Sequence, residues 1–179
     1  MKKLVLDLDE TLIYSAMEPL DDDFVKLSAA GQTFYTKLRP GLKDFLEFVK
    51  SKFDVTIWTT GHQAYLESIW AYLDIPGFVL WGRDYCKKIQ SPDKDCVEPY
   101  EKPLRLICED LTQIVIVDNT PSIFAKYPLN GILSRTWRGD PEDTELTNLS
   151  YYLDWLNKQT SMQRDHQAWR LETLCIRSK

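Results

Sequence analysis

No stretch of the chain is apolar over the ~20 residues that a membrane-spanning helix needs. Met1-Lys2-Lys3 is followed by an apolar run that Asp7 interrupts, too short for the hydrophobic region of a secretory signal. No block of Lys or Arg occurs, and a formal net charge of -5 leaves no basic field for DNA or RNA. These absences predict no direct nucleic-acid partner, no membrane, and a cytoplasmic location, with a nuclear one as the alternative in a eukaryote. Oligomeric state is not legible. The four cysteines, Cys86, Cys96, Cys108 and Cys175, form no CxxC pair and have no His at zinc-finger spacing, so they read as free thiols rather than a disulfide framework or metal site. No internal repeat or low-complexity tract breaks the chain. What is present is 44% hydrophobic residues and 12% aromatics over 179 residues, enough for one sizeable core.

Strand and helix signals alternate, which predicts an α/β fold around a mainly parallel sheet. Leu4-Val5-Leu6 opens the series as a buried strand. Phe24–Leu27 and Thr33–Leu38 flank a Gly-containing turn and read as a hairpin beside the first strand's end. Pro40-Gly41 opens a helix on which Leu42, Phe45, Leu46, Phe48 and Val49 keep the helical period. Phe53–Trp58 reads as a buried strand, His62–Leu73 as a helix, and Phe78–Trp81 as a short strand, before an irregular stretch from Lys87 to Pro99. Pro103 is expected to start a helix reaching Leu111, and Ile114–Val117 is the next buried strand. Asp140-Pro141-Glu142 reads as an N-cap with Pro at the first helical position, opening a helix through Leu156. In the tail, Gln163–Ile176 is expected as a helix packing Ala168, Leu171 and Cys175 on the domain.

Chemistry-bearing residues gather where strands end. Asp7 and Asp9 alternate, so an extended strand puts both on one side, where they repel unless a divalent cation keeps both ionised. Taken alone, the pair is equally an acidic turn after a buried strand. Thr59-Thr60 and Asp118-Asn119 end two further strands, and parallel neighbours joined by right-handed crossovers would bring all three ends to one edge. Lys102, placed before a helix start, could reach the same edge. Asp21-Asp22-Asp23 reads as a solvated turn, His62 as a first-turn helix residue, and Trp155 and Trp169 as core or docking residues.

The segments Leu6-Asp7-Leu8-Asp9-Glu10-Thr11-Leu12, Arg39-Pro40-Gly41, Trp58-Thr59-Thr60-Gly61, Lys102, Val117-Asp118-Asn119-Thr120-Pro121, Asn130-Gly131-Ile132, and Trp137 with Asp140 through Leu146 occur in one collinear order. Together they resemble the haloacid dehalogenase superfamily, and within it the FCP/SCP and NLI-interacting-factor-like small C-terminal-domain phosphatases. The resemblance runs from about residue 2 to 158. It implies a Rossmann-like fold with a small hairpin insertion and no large cap, a phosphatase domain over 1–158, and a C-terminal tail over 159–179. It further implies Asp7 as nucleophile through an aspartyl-phosphate, and Asp9 as general acid and then base. Thr59 and Lys102 would hold the phosphoryl group, with Thr11 and Thr60 as substrate-binding candidates and Thr11 as an alternative orienter of Asp9. Mg2+ would be held by Asp7, Asp9 through its backbone carbonyl, and Asn119, with Asp118 close by.

The substrate implied is phosphoserine or phosphothreonine in a protein or peptide. A small phosphorylated metabolite, or a non-catalytic phosphoprotein-binding module, are the alternatives. The chain departs from the family pattern at Tyr14, where a His often stands, and at Pro103, where an Asp is frequent. Tyr85–Pro99 also has few aromatics, whereas the eukaryotic small phosphatases grip a substrate proline with an aromatic pocket in their insertion.

Overall fold

The computed structural model describes residues 1–89 and 100–177. After β1 (Lys3–Leu6), three strands, β2 (Ile13–Ala16), β3 (Val25–Ala29) and β4 (Gln32–Leu38), form an antiparallel sheet in the order β2-β4-β3. Then follow α1 (Leu42–Lys52), β5 (Asp54–Trp58), α2 (Gln63–Leu73) and β6 (Val79–Trp81). A short ribbon pairs β7 (Lys87–Lys88) with β8 (Tyr100–Glu101), and β9 (Ile114–Asp118), β10 (Gly131–Leu133), α3 (Glu145–Asn157) and α4 (Trp169–Arg177) complete the chain. The central sheet is all parallel in the order β10-β9-β1-β5-β6. β1 therefore lies between β5 and β9, and the ends of these three strands face one edge. This is the α/β fold that the alternation predicts.

Alternation along β1 and β9 divides the core. Leu4, Leu6, Val115 and Val117 join one cluster with the buried faces of α1, α2 and α3 and with Trp169 of α4. Val5, Ile114 and Ile116 join a second cluster with Trp58, Leu104, Ile123 and Phe124, which lie under short 3₁₀ turns rather than α-helices. Gly131 is required where these turns cross β10, because a Cβ there would lie 2.0 Å from Phe124 Cδ2. The hairpin between β3 and β4 closes on Ala30 and Gly31, both at positive φ (49° and 79°), as a two-residue turn matching strand twist demands.

Four local expectations change. The hairpin gains a third strand, β2, too short and too mixed in polarity to show in the sequence. Pro103–Leu111 is not a helix. It forms a 3₁₀ turn at Leu104–Leu106, and the Asp110 carboxylate accepts the Thr112 N–H (3.0 Å) and hydroxyl (2.7 Å), capping a separate turn at Leu111–Gln113. Asp140 does not cap a helix but accepts the Glu142 N–H in a turn (2.9 Å), and α3 begins at Glu145, whose N–H is taken by Asp143 (3.0 Å). The tail buries Met162, His166, Trp169 and Thr173, whereas Ala168, Leu171 and Cys175 face solvent, so its packing face is the opposite of the expected one. Lys87–Pro99 falls mostly outside the described residues, as does Cys96. Cys86, Cys108 and Cys175 are free thiols. No helix among the described residues is long and apolar enough to cross a membrane.

Candidate active site

Asp7 continues β1 by donating its N–H to Val117 O (2.9 Å), and its parity puts the side chain on the Val5 face, under the 3₁₀ turns. One carboxylate oxygen accepts the Thr11 hydroxyl (2.9 Å) and the other accepts the Lys102 ammonium (2.8 Å). Lys102 is fully buried and also donates to Asp118 Oδ2 (2.7 Å), while Asp118 Oδ1 accepts the Thr120 N–H (2.9 Å). Burial works against the charge on Lys102, but Asp118 and Asp7 outweigh it and push the lysine upward, so it stays protonated. Asp118 is pushed up as well, first by burial and then by Asp7, because one cation serves two carboxylates.

Asp9 sits at the mouth of this cluster. Its Oδ2 accepts the Thr59 hydroxyl (2.8 Å) and its Oδ1 the Tyr65 hydroxyl (2.5 Å). Burial and then the Asp7 charge raise it to about 6, against the lowering effect of those two hydrogen bonds and of Lys102. Asp9 is half-buried and lines the cavity. Tyr65 is itself pushed far up, chiefly by burial and then by Asp9, so it holds its proton. Its oxygen lies 2.7 Å from Ser15 Oγ, which is 2.7 Å from Thr36 Oγ1, so the hydroxyl chain runs into the small sheet. With one proton on Tyr65 committed to Asp9, Ser15 is left to donate to Tyr65.

Asp7, Asp9 and Asp118 face a cavity of about 390 Å³ together with Glu10, Tyr14, Thr60, Asn119 and Arg138. A second cavity of about 300 Å³ meets it at Ser15 and is lined by Ala16, Met17, Phe34, His62, Tyr65 and Arg83. Phe34 and Tyr65 give it aromatic character, their rings lying 4.8 Å apart. Arg39, which is 1% exposed, ties the region together: it binds both Asp143 oxygens (2.8 and 2.9 Å), Thr11 O (2.8 Å) and Ser134 Oγ (3.2 Å).

Among the described residues, no three His, Cys, Asp or Glu side chains are placed to hold a metal by themselves. The donor set nevertheless fits Mg2+, which takes oxygen ligands and keeps several waters. Lys102 pairs with Asp7 and Asp118 while Asp9 has no ion pair, and burial first and the Asp7 charge second raise both Asp9 and Asp118. Asn119 lines the same cavity, its amide nitrogen 3.2 Å from Thr136 Oγ1 and 3.4 Å from Glu10 Oε2.

Every residue singled out at the strand ends thus comes to one place, but two hydroxyls have partners other than those expected. Thr11 orients Asp7, not Asp9. Thr59 is 0% exposed, accepts the Gly61 N–H (2.9 Å) and gives its proton to Asp9 (2.8 Å). Lys102 reaches the site from an extended segment whose N–H binds Ile123 O (3.1 Å), without any helix behind it. Tyr65 falls on the helical period of α2 beside Leu66, Ile69 and Leu73, and that spacing carries no sign of a contact with Asp9. Asp21–Asp23 is an exposed turn, with Asp21 paired to Lys37 at 2.7 Å, and His62 occupies the N-cap of α2.

A family model described as NLI interacting factor-like phosphatase matches residues 2–163. The chain belongs to this phosphatase family. Members of such a family are hydrolases of phosphate esters. The chain is 33% identical over 162 residues to a probable C-terminal domain small phosphatase of Dictyostelium discoideum, covering 88% of this chain and 51% of that one. It is 33% identical over 167 residues to the CTD nuclear envelope phosphatase 1 homolog of Drosophila melanogaster, covering 87% and 67%. It therefore spans from about half to two thirds of the length of these relatives. The RNA polymerase II CTD phosphatase Fcp1 of fission yeast, solved with beryllium fluoride, shares the fold at a TM-score of 0.59 and 18% identity, with 99% of this chain and 62% of that chain covered. Another Fcp1 structure gives a TM-score of 0.62.

Proposed function

We propose that the protein is a Mg2+-dependent phosphatase of phosphoserine and phosphothreonine in proteins, working through an aspartyl-phosphate on Asp7. The observation that carries the proposal is the pairing of Asp7, anchored by Thr11 and Lys102, with a carboxyl group at Asp9, two residues on, that burial and the Asp7 charge raise to about 6. A carboxylate oxygen of Asp7 attacks phosphorus as the bond to the seryl oxygen breaks, and protonated Asp9 gives its proton to that leaving oxygen. Asp9, now a carboxylate, takes a proton from the water that attacks the phosphoryl-enzyme, releasing phosphate and restoring Asp7. Lys102 neutralises Asp7 and the gathering phosphoryl charge at no cost in reorganisation, since two carboxylates already fix it. Thr59 and Tyr65 hold Asp9 in line. Bound at Asp7, the Asp9 carbonyl and Asn119, Mg2+ would supply electrostatic stabilisation of the phosphoryl oxygens.

Two features support a protein substrate. Between β1 and α1 the chain forms the three-stranded sheet, and among the described residues no large lid covers the cleft. The adjoining part-apolar cavity offers room for a side chain next to the phosphorylated one. The test is turnover of p-nitrophenyl phosphate and phosphoserine peptides with Mg2+ and with EDTA. Asp7→Asn is expected to abolish both activities while the melting temperature stays near wild type. Full activity in that variant, or in verified metal-free enzyme, removes this mechanism.

A further inference from the structure

Among the described residues, the cavity that holds Asp7 has one cationic side chain in its lining, Arg138, which the reaction above does not use. Its place is fixed by its neighbour. Trp137 is 2% exposed, donates its backbone N–H to Glu10 O (2.8 Å) and its indole N–H to Asp140 O (2.8 Å), pinning the loop to the rim of the site. The Arg138 side chain is nevertheless 67% exposed. It meets Glu10 through Nε alone, at 3.2 Å, while the other Glu10 oxygen is turned to Asn119. Arg39 shows what a satisfied guanidinium looks like in this protein, with Nε and a terminal nitrogen on both oxygens of Asp143. Among the described residues the terminal nitrogens of Arg138 carry no hydrogen bond, so a fork of N–H donors stands open at the cleft.

We infer that Arg138 is a specificity residue that grips a second anionic group on the substrate, a carboxylate or a second phosphate near the reacting phosphoester, and so selects acid-flanked phosphosites. The inference rests on the protein-phosphatase reading. The chemistry favours an anion because planar bidentate recognition of carboxylate and phosphate is what a free guanidinium does best. The acids around it, Asp7, Asp9, Glu10 and Asp118, would otherwise repel a substrate with added negative charge. An extended peptide sets same-face side chains ~7 Å apart, so the anion belongs within one or two residues of the phosphorylated one.

The experiment compares kcat/KM for one phosphoserine peptide carrying Ala, Glu or a second phosphoserine at each position within three residues of the first. Wild type is expected to prefer the best anionic peptide over its Ala counterpart by about fivefold, the preference shrinking with ionic strength. Arg138→Gln should bring that ratio close to one, and Arg138→Lys, with charge but no fork, should fall between. Glu10→Gln keeps Arg138 and removes its internal competitor together with one repelling charge, so the ratio should rise, and in Glu10→Gln/Arg138→Gln that rise should vanish if the guanidinium and not the lost repulsion produces it. Gain from both Glu and phosphoserine, or from phosphoserine alone, supports the inference and names the source of the anion. No preference in wild type, the same preference in Arg138→Gln, or a fall in Glu10→Gln overturns it and leaves a surface ion pair only. If wild type cleaves p-nitrophenyl phosphate but no phosphopeptide, the protein-phosphatase reading is what fails, and this inference falls with it.

Discussion

The protonation of Asp9 yields a sharp test, because the two half-reactions ask opposite things of it. Expulsion of a seryl alkoxide needs the acid form, whereas p-nitrophenolate leaves with little help. With Asp9 raised to about 6, about three quarters of the molecules carry the proton at pH 5.5 and about 3% at pH 7.5, a change of roughly 25-fold. The ratio of kcat/KM for phosphoserine peptide to that for p-nitrophenyl phosphate should therefore fall with pH, nearly tenfold per unit above ~6. Taking the ratio cancels enzyme ionisations that both substrates require alike, and the second ionisation of each phosphate ester is titrated separately and divided out. Tyr65→Phe removes a hydrogen bond that favours the carboxylate, so Asp9 should rise further and the fall should move to higher pH. Asp9→Asn should flatten the ratio and, in rapid-quench experiments, let phospho-Asp7 accumulate. A ratio independent of pH in the wild type would refute the acid role and leave Asp9 a structural or metal-binding group.

Lys102→Met leaves Asp7 and Asp118 buried without their cation, so the fold should lose about 3–5 kcal/mol in urea unfolding at pH 8. The orphaned carboxyls then have folded pKa values raised above their unfolded ones, so the deficit relative to wild type should shrink as the pH falls; a constant deficit would mean that Lys102 matters only by packing. His166, 2% exposed with Nδ1 2.8 Å from the Tyr152 hydroxyl, is lowered to about 4, chiefly by burial. Its folded pKa lies below the unfolded ~6.5, so the unfolded chain binds the proton first and stability is lost as pH falls through the window between ~6.5 and 4. Between pH 7 and pH 5 the loss is about 2 kcal/mol, and it should be absent from His166→Asn in paired denaturation curves.

The sequence showed most where one physical rule acted alone. Alternation put Asp7 and Asp9 at the end of a buried strand, and two other buried runs ended in Thr59 and Asp118, so a parallel sheet was enough to gather them. It showed least where a side chain competed with the backbone. Leu104, Ile107, Cys108 and Leu111 fit a helical period, but Asp110 binds Thr112 and breaks the run into separate turns. The start of α3 moved for a similar reason, since Asp143 is shared between Arg39 and the first helical N–H. Contacts made across the fold left no local trace: Tyr65 reads as one more apolar position on α2, and the match of β2 to β4 depends on a partner strand some twenty residues away.

The unequal cover of the sheet has a consequence for how the protein fails. Among the described residues, the four α-helices contribute buried residues to one face, and the other is closed by 3₁₀ turns that hold Leu104, Ile123 and Phe124 over Val5 and Ile116. Amides on the turn-covered side should exchange with solvent through openings smaller than global unfolding, because few buried apolar contacts must break. Lys102 is attached to that side by its N–H to Ile123 O, so such an opening withdraws the ammonium from Asp7 and Asp118 while the helical layer stays intact. On warming, catalytic competence is then lost ahead of helicity, and a melting curve followed by circular dichroism overstates the temperature at which the enzyme can still work.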